Sequence, residues 1–138
     1  MDQSKAQELL HNIRVSLNME MALFSHIVGN DYTVMAIDSE LDIAKPGDVL
    51  ELTDCLCSAV ANSGKTVHYH KIKDIEELRE HPVVKAVQPE SYLGEPVIAG
   101  GKFYGTLSLL SLTPRANEFD ETDRANATLA ANKLAQLI

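Results

Sequence analysis

The sequence predicts an α/β (α+β) domain built on a central antiparallel sheet with helices on its faces. Three observations carry that reading. Two pairs of β-rich runs flank tight turns, one at Gly29-Asn30-Asp31 and one at Gly100-Gly101, and such turns make hairpins. Amphipathic helical patterns open and close the chain. Hairpins build antiparallel sheets, whose apolar face is then covered by helices.

The elements follow in order. Ala6, Leu9, Leu10, Ile13 and Leu17 recur at helical spacing across residues 4–18, with Ser4 as the expected cap. Met21 to Val28 and Tyr32 to Asp38 are the strands of the first hairpin. Leu41 to Leu52, marked by Pro46-Gly47, reads as loop. Thr53 or Asp54 is expected to cap a short helix running to Ser63, which buries Leu56, Ala59 and Val60. Gly64 suits the left-handed position after that helix. Thr66 to His70 reads as a short strand. Lys73 to Glu80 reads as a helix with Ile75 and Leu78 inward, ended at His81-Pro82, and Val83 to Val87 as one more turn. Tyr92 to Ile98 and Lys102 to Leu112 form the second hairpin. Asp120, with Asp123 three residues on, opens the last helix in a variant of the capping box. No repeat, linker or low-complexity tract interrupts the series, so residues 1–138 are expected to be one domain.

Charge narrows the partners. The formal net charge is -8, a field that repels nucleic acid and anionic membrane surfaces. No apolar run approaches the roughly 18 residues of a membrane helix. The N-terminus has neither the basic start nor the apolar centre of a signal peptide. The expected setting is the cytoplasm, where the free thiols Cys55 and Cys57 would persist.

Candidate chemistry is sparse. Cys55 and Cys57 fall in the first turns of the expected helix, where a thiol can be activated, but no base or oxyanion motif accompanies them; burial as a small apolar group is the plainer role for Cys57. His68 and His70 share a strand face, yet two ligands are too few for zinc, and no metal is expected. Glu76-Glu77 and Asp120-Glu121-Asp123 suit a polar helix face and a helix N-terminus. The glycines do not make a dinucleotide fingerprint. In the strand Gly105 to Leu112, Leu107 and Leu109 point one way and Thr106, Ser108 and Leu110 the other. That second face is either a pocket floor or an ordinary half-buried sheet.

Three segments carry a family resemblance: Ser91-Tyr-Leu-Gly-Glu-Pro-Val-Ile98, Gly101-Lys-Phe-Tyr-Gly-Thr-Leu-Ser-Leu109 and Phe119-Asp-Glu-Thr-Asp123. Together they resemble the closing half of a GAF domain. The helix before Gly64-Lys-Thr-Val67 and the run His81-Pro82-Val83-Val84 agree with it. The resemblance implies a five- or six-stranded antiparallel sheet with the terminal helices on one face and a ligand pocket on the other. It implies a sensing or regulatory domain of signal transduction, non-catalytic, with no fixed cofactor and a small-molecule ligand of unknown identity. A homodimer through the terminal helices is expected as well, with Leu10, Ile13, Ala127, Ala131 and Leu134 as the contact residues. The pocket would be lined by Leu56, Cys57, Val60, Tyr69, Tyr92, Thr106 and Ser108.

Departures from the family pattern limit the ligand. Cys55 is followed by Leu56 and Cys57 by Ser58, not by the histidine of bilin-attaching members. Asn117-Glu118-Phe119-Asp120-Glu121 lacks the lysine of the cyclic-nucleotide signature. The free methionine-R-sulfoxide reductases place a catalytic cysteine near residues 81–90, where this chain has none. Two alternatives stay open: a ligand-free dimerisation or docking module, and a redox enzyme using Cys57.

Overall fold

A computed structural model describes Met1–Ile138. Six strands form one antiparallel sheet in the order β3-β2-β1-β6-β5-β4. They are β1 (Met21–Val28), β2 (Asp31–Ser39), β3 (Val49–Glu51), β4 (Val67–Tyr69), β5 (Ser91–Ala99) and β6 (Lys102–Ser111). The helices are α1 (Gln3–Ser16), α2 (Cys57–Ser63), α3 (Pro82–Val87) and α4 (Glu121–Ala135). The GAF-like α+β architecture expected from the sequence is the one observed.

Both hairpins form where the turn residues placed them. Gly100 and Gly101 sit at φ of 59° and 77°, the left-handed pair that a two-residue hairpin turn requires. β1 and β6 then pair in the centre, Met21 opposite Leu110 and Phe24 opposite Leu107. Two register shifts adjust the faces, between Phe24 and Ser25 and between Val97 and Ile98. Each leaves one extra residue on the facing strand, Met35 on β2 and Tyr104 on β6.

The sheet is covered on both faces. On one, α1 and α4 bury Leu10, Ile13, Leu17, Phe24, Leu93, Leu107, Leu109 and Leu134 in a common core. On the other, α2, α3 and the loops pack over Leu23, Tyr32, Val34, Leu56 and Tyr92. Leu107 and Leu109 do face the terminal helices, and Thr106 and Ser108 the other side.

Several local expectations are corrected. Asp2, not Ser4, caps α1 by accepting from the Lys5 N–H. Val49–Glu51, expected as loop, pairs with Asp31–Thr33 as an edge strand. Neither Thr53 nor Asp54 caps α2: a 3-10 turn occupies Leu52–Asp54, and α2 starts only at Cys57 without a side-chain cap. Cys55 therefore lies outside the helix, in extended backbone. The expected helix over residues 73–80 is replaced by two 3-10 turns, because Ile75 is extended (φ -105°, ψ 102°) and breaks the run. Ile72 is the buried anchor of that segment; Ile75 and Leu78 are half-buried. Gly64 is left-handed at φ 67°, and Asp120 and Asp123 form both halves of a capping box, as expected.

α1 is fixed to the sheet by polar side chains as well as apolar ones. Gln7, His11 and Arg14, one stripe of the helix, all reach Asp38 on β2, with Arg14 Nε donating at 2.6 Å. Burial alone would raise the Asp38 pKa, but hydrogen bonds from Arg14 and His11 outweigh it and hold the carboxyl below its usual range. A depressed carboxylate stabilises the fold above its unfolded pKa, roughly 4, and stops doing so as pH falls through the folded value. Asp38→Asn is expected to cost about 1–3 kcal/mol at neutral pH. In urea titrations at descending pH, the gap between wild type and variant should close below about pH 4.

Candidate functional site

The loop-covered face of the sheet holds a cavity of about 340 Å³, open to solvent on one side, within the size range of small-molecule sites. Its floor is Met21 and Leu23 of β1, Tyr32 of β2, Tyr92 of β5, and Ser108 and Leu110 of β6. Its walls come from Ile43 and Ala44, from Leu50, Glu51 and the run Asp54 to Cys57, and from α3. Fourteen of its eighteen lining residues are hydrophobic. The segment Pro82–Val87 can form a wall because proline opens α3 and the His81 ring accepts from the Val83 N–H.

Four of the seven residues expected to line a pocket do so: Leu56, Cys57, Tyr92 and Ser108. The other three support it from outside. Val60 is fully buried, and a β-carbon at Gly94 would meet its Cγ2 at 2.7 Å. Tyr69 stacks on Tyr92 with ring centroids 6.1 Å apart. Thr106 lies behind Cys57, donating to its sulfur at 3.2 Å.

Polar groups on the floor form one connected network around the Cys57 thiol. Tyr92 Oη donates to Cys57 Sγ at 3.1 Å, and Ser108 Oγ lies 2.7 Å from the same sulfur. Ser25 Oγ meets Thr106 Oγ1 at 2.8 Å and accepts from the Thr106 N–H at 3.1 Å. The partners of Cys57 are hydroxyls, with no imidazole, amine or guanidinium among them. Cys55, half-buried at the wall, is pushed up to about 12 by burial and by its neighbours Cys57 and Asp54, the opposite of an activated thiol.

Burial also raises Tyr32 and Tyr92 well above the ordinary phenol range, reinforced by the nearby Cys57. A raised acid is stabilising below its unfolded pKa, about 10, and that contribution is lost as pH climbs towards the folded value. In an ultraviolet titration these two tyrosines are expected to stay protonated above pH 10 until the protein unfolds. Ionisation of all four phenols near pH 10 in a folded protein would contradict the buried network.

The residues expected on a dimer surface are corrected. Leu10, Ala127 and Leu134 are 0% exposed, Ala131 1% and Ile13 5%, all within the core between α1, α4 and their own sheet. The alanine stripe lets α4 approach its own sheet and α1 closely. A dimer of this chain has to use other surface.

The strand expected over Thr66 to His70 is only Val67–Tyr69, so His68 lies in β4 and His70 just after it, and the two do not converge on an ion. His68 packs edge-on against Phe119 and His70 Nδ1 lies 3.5 Å from Glu118; no three metal-ligating side chains come together. No helix is long and apolar enough to cross a membrane.

Sheet order, the helix pair on one face and the cavity on the other define an α+β domain of GAF-like architecture. The GAF domain family profile matches residues 3–138, and the chain belongs to that family. Solved structures agree on the fold. The GAF domain of an Acinetobacter phosphoenolpyruvate-protein phosphotransferase superposes with a TM-score of 0.78 at 15% identity, over 98% of this chain and 80% of that one. A type II free methionine-R-sulfoxide reductase from Thermoplasma acidophilum gives 0.77 at 19% identity, over 98% and 90%. The PixJ GAF domain of Thermosynechococcus elongatus, in its blue-light absorbing form, gives 0.72 at 14%, over 98% and 85%. No curated protein matches by sequence.

Sequence reasoning missed the cavity walls. Ile43, Ala44, Leu50 and the apolar side of α3 lie in segments without periodicity. Their only signal was apolar residues, Ile43, Ala44 and Leu50 in a stretch read as loop and those of α3 in the single turn expected over Val83 to Val87.

Proposed function

We propose that this GAF domain is a regulatory module of signal transduction that binds a small molecule in the loop-side cavity and does no chemistry on it. The observation that carries this is the cavity itself: an apolar space of about 340 Å³ over a sheet floor whose polar groups already satisfy one another. A concave, mostly apolar pocket of this size with a few polar groups on its floor is the usual form of a small-molecule site. The fold-mates named above include a blue-light absorbing GAF domain and the GAF domain of a phosphotransferase protein, which supports a regulatory setting. The free thiols support a reducing, cytoplasmic compartment.

The experiment is a thermal-unfolding screen of pooled metabolites against wild type and Ala44→Trp, whose indole is placed to occupy the cavity. A binding pool is expected to raise the unfolding temperature of wild type by a few degrees and leave the variant unmoved. No shift in any pool, or equal shifts in both proteins, contradicts the proposal.

One observation favours a second reading, a redox enzyme: Cys57 lines the cavity. Its surroundings oppose that, since they supply hydroxyls and no base to form the thiolate. Turnover of free methionine sulfoxide that disappears in Cys57→Ser would establish it; an inert wild type would end it.

A further inference from the structure

The charges around the cavity go further than its shape. No lysine, arginine or histidine is among its lining residues, and the only charged ones are Glu51 and Asp54. Both acids are exposed, so they stand at the mouth, in water. The cations nearest in sequence, Lys45 and Lys85, do not line the cavity, and Lys85 is held 2.6 Å from Glu80. An anionic ligand would therefore meet two acidic lining residues and no basic one.

The floor holds no cation, and of its hydroxyls Tyr32 only accepts, at 3.9 Å from Cys57 Sγ. The Tyr92 and Thr106 hydroxyls are spent on Cys57, and Ser108 lies against the same sulfur. The buried polar side-chain atoms left without partners are His68 Nδ1, Glu90 Oε2 and Arg115 Nε, and none belongs to the cavity. Burying a negative charge without a donor or cation is strongly unfavourable. An ammonium group at the mouth has the reverse balance: it stays hydrated and faces two carboxylates while the apolar part of the ligand sits inside.

We infer that the cavity selects an apolar molecule bearing a cationic amine at its solvent-facing end, and discriminates against carboxylates and phosphates of the same shape. The inference rests on the proposed ligand-binding function of the same site. It sets this chain apart from domains that hold an anionic ligand by an arginine or lysine.

The test uses three probes with one aromatic body: 2-naphthylmethylamine, 2-naphthalenemethanol and 2-naphthoate, titrated by fluorescence into the full chain. The amine is expected to bind on the order of tenfold more tightly than the carboxylate at low salt, with the alcohol between them. The gap should shrink as ionic strength rises. In the Glu51→Gln/Asp54→Asn variant it should narrow to within about twofold, with affinity for the alcohol unchanged. Carboxylate binding equal to or tighter than the amine overturns the inference, as does an amine preference that survives the double substitution. If none of the three probes binds while a metabolite pool still shifts wild type but not Ala44→Trp, the inference alone is overturned; if no pool shifts wild type either, the ligand-binding function fails with it.

Discussion

Ala127→Asp is expected to unfold the domain. The Ala127 side chain is fully buried against the sheet in the helix-side core. A carboxylate there would sit among apolar side chains, so it must either bury a charge or take up a proton and bury a poorly paired hydroxyl. Either outcome costs several kcal/mol, about 3–5 on mutational precedent. That is comparable to the whole stability of a small domain, roughly 5–15 kcal/mol. Circular dichroism in urea should show most of the folded signal lost or the midpoint strongly lowered. Had this stripe been a dimer surface, the same substitution would have left the unfolding midpoint of the monomer nearly unchanged and altered only its mass in solution.

Gly105→Ala should be nearly as damaging, for a steric reason. A β-carbon at Gly105 would lie 1.9 Å from Ser25 O and 2.7 Å from Ser25 C. Those are backbone atoms of β1, so no rotamer change relieves the clash, and the two central strands must separate. Overpacking usually costs about 1–3 kcal/mol; with rigid backbone on both sides, about 3 kcal/mol or more is expected. Gly100→Ala is the control. Its β-carbon would meet nothing within 4 Å, so only the left-handed backbone resists, at about 1 kcal/mol. Chemical denaturation of the two variants side by side should show Gly105→Ala far less stable.

These two sites show what was legible in the sequence and what was not. The strand containing Gly105 was plain from its β-rich run and the glycine turn before it. That Gly105 must be glycine was not, because the reason lies on a strand 80 residues away in the chain, at Ser25. The alanine stripe announced close packing, yet small residues say nothing of the partner, which proved to be the protomer itself. Elements with local chemical signals were readable: the Gly100-Gly101 turn, the left-handed Gly64, the Asp120 capping box. β3 was not, since Val49–Glu51 is three exposed residues whose strand character comes only from pairing with β2. The helix expected over residues 73–80 failed because its side chains have little to bury, and Ile72 just before it holds the segment down.

The site divides the same way. Its floor was visible as alternation along β6, which put Ser108 opposite Leu107 and Leu109. Its walls come from irregular segments that only the fold brings together. Whether the space beneath them is filled or open is a question of packing, which periodicity cannot answer.

The central claim is that a small molecule binds on the loop-covered face and not between the terminal helices. Methyl-resolved NMR of the full chain titrated with 2-naphthalenemethanol tests it most directly. Ring-current shifts are expected at Leu23, Leu56, Val83 and Leu110, around the cavity. The helix-side methyls of Leu10, Leu109 and Leu134 should stay unmoved. Shifts centred on the helix-side group, or none at either face, would contradict the account.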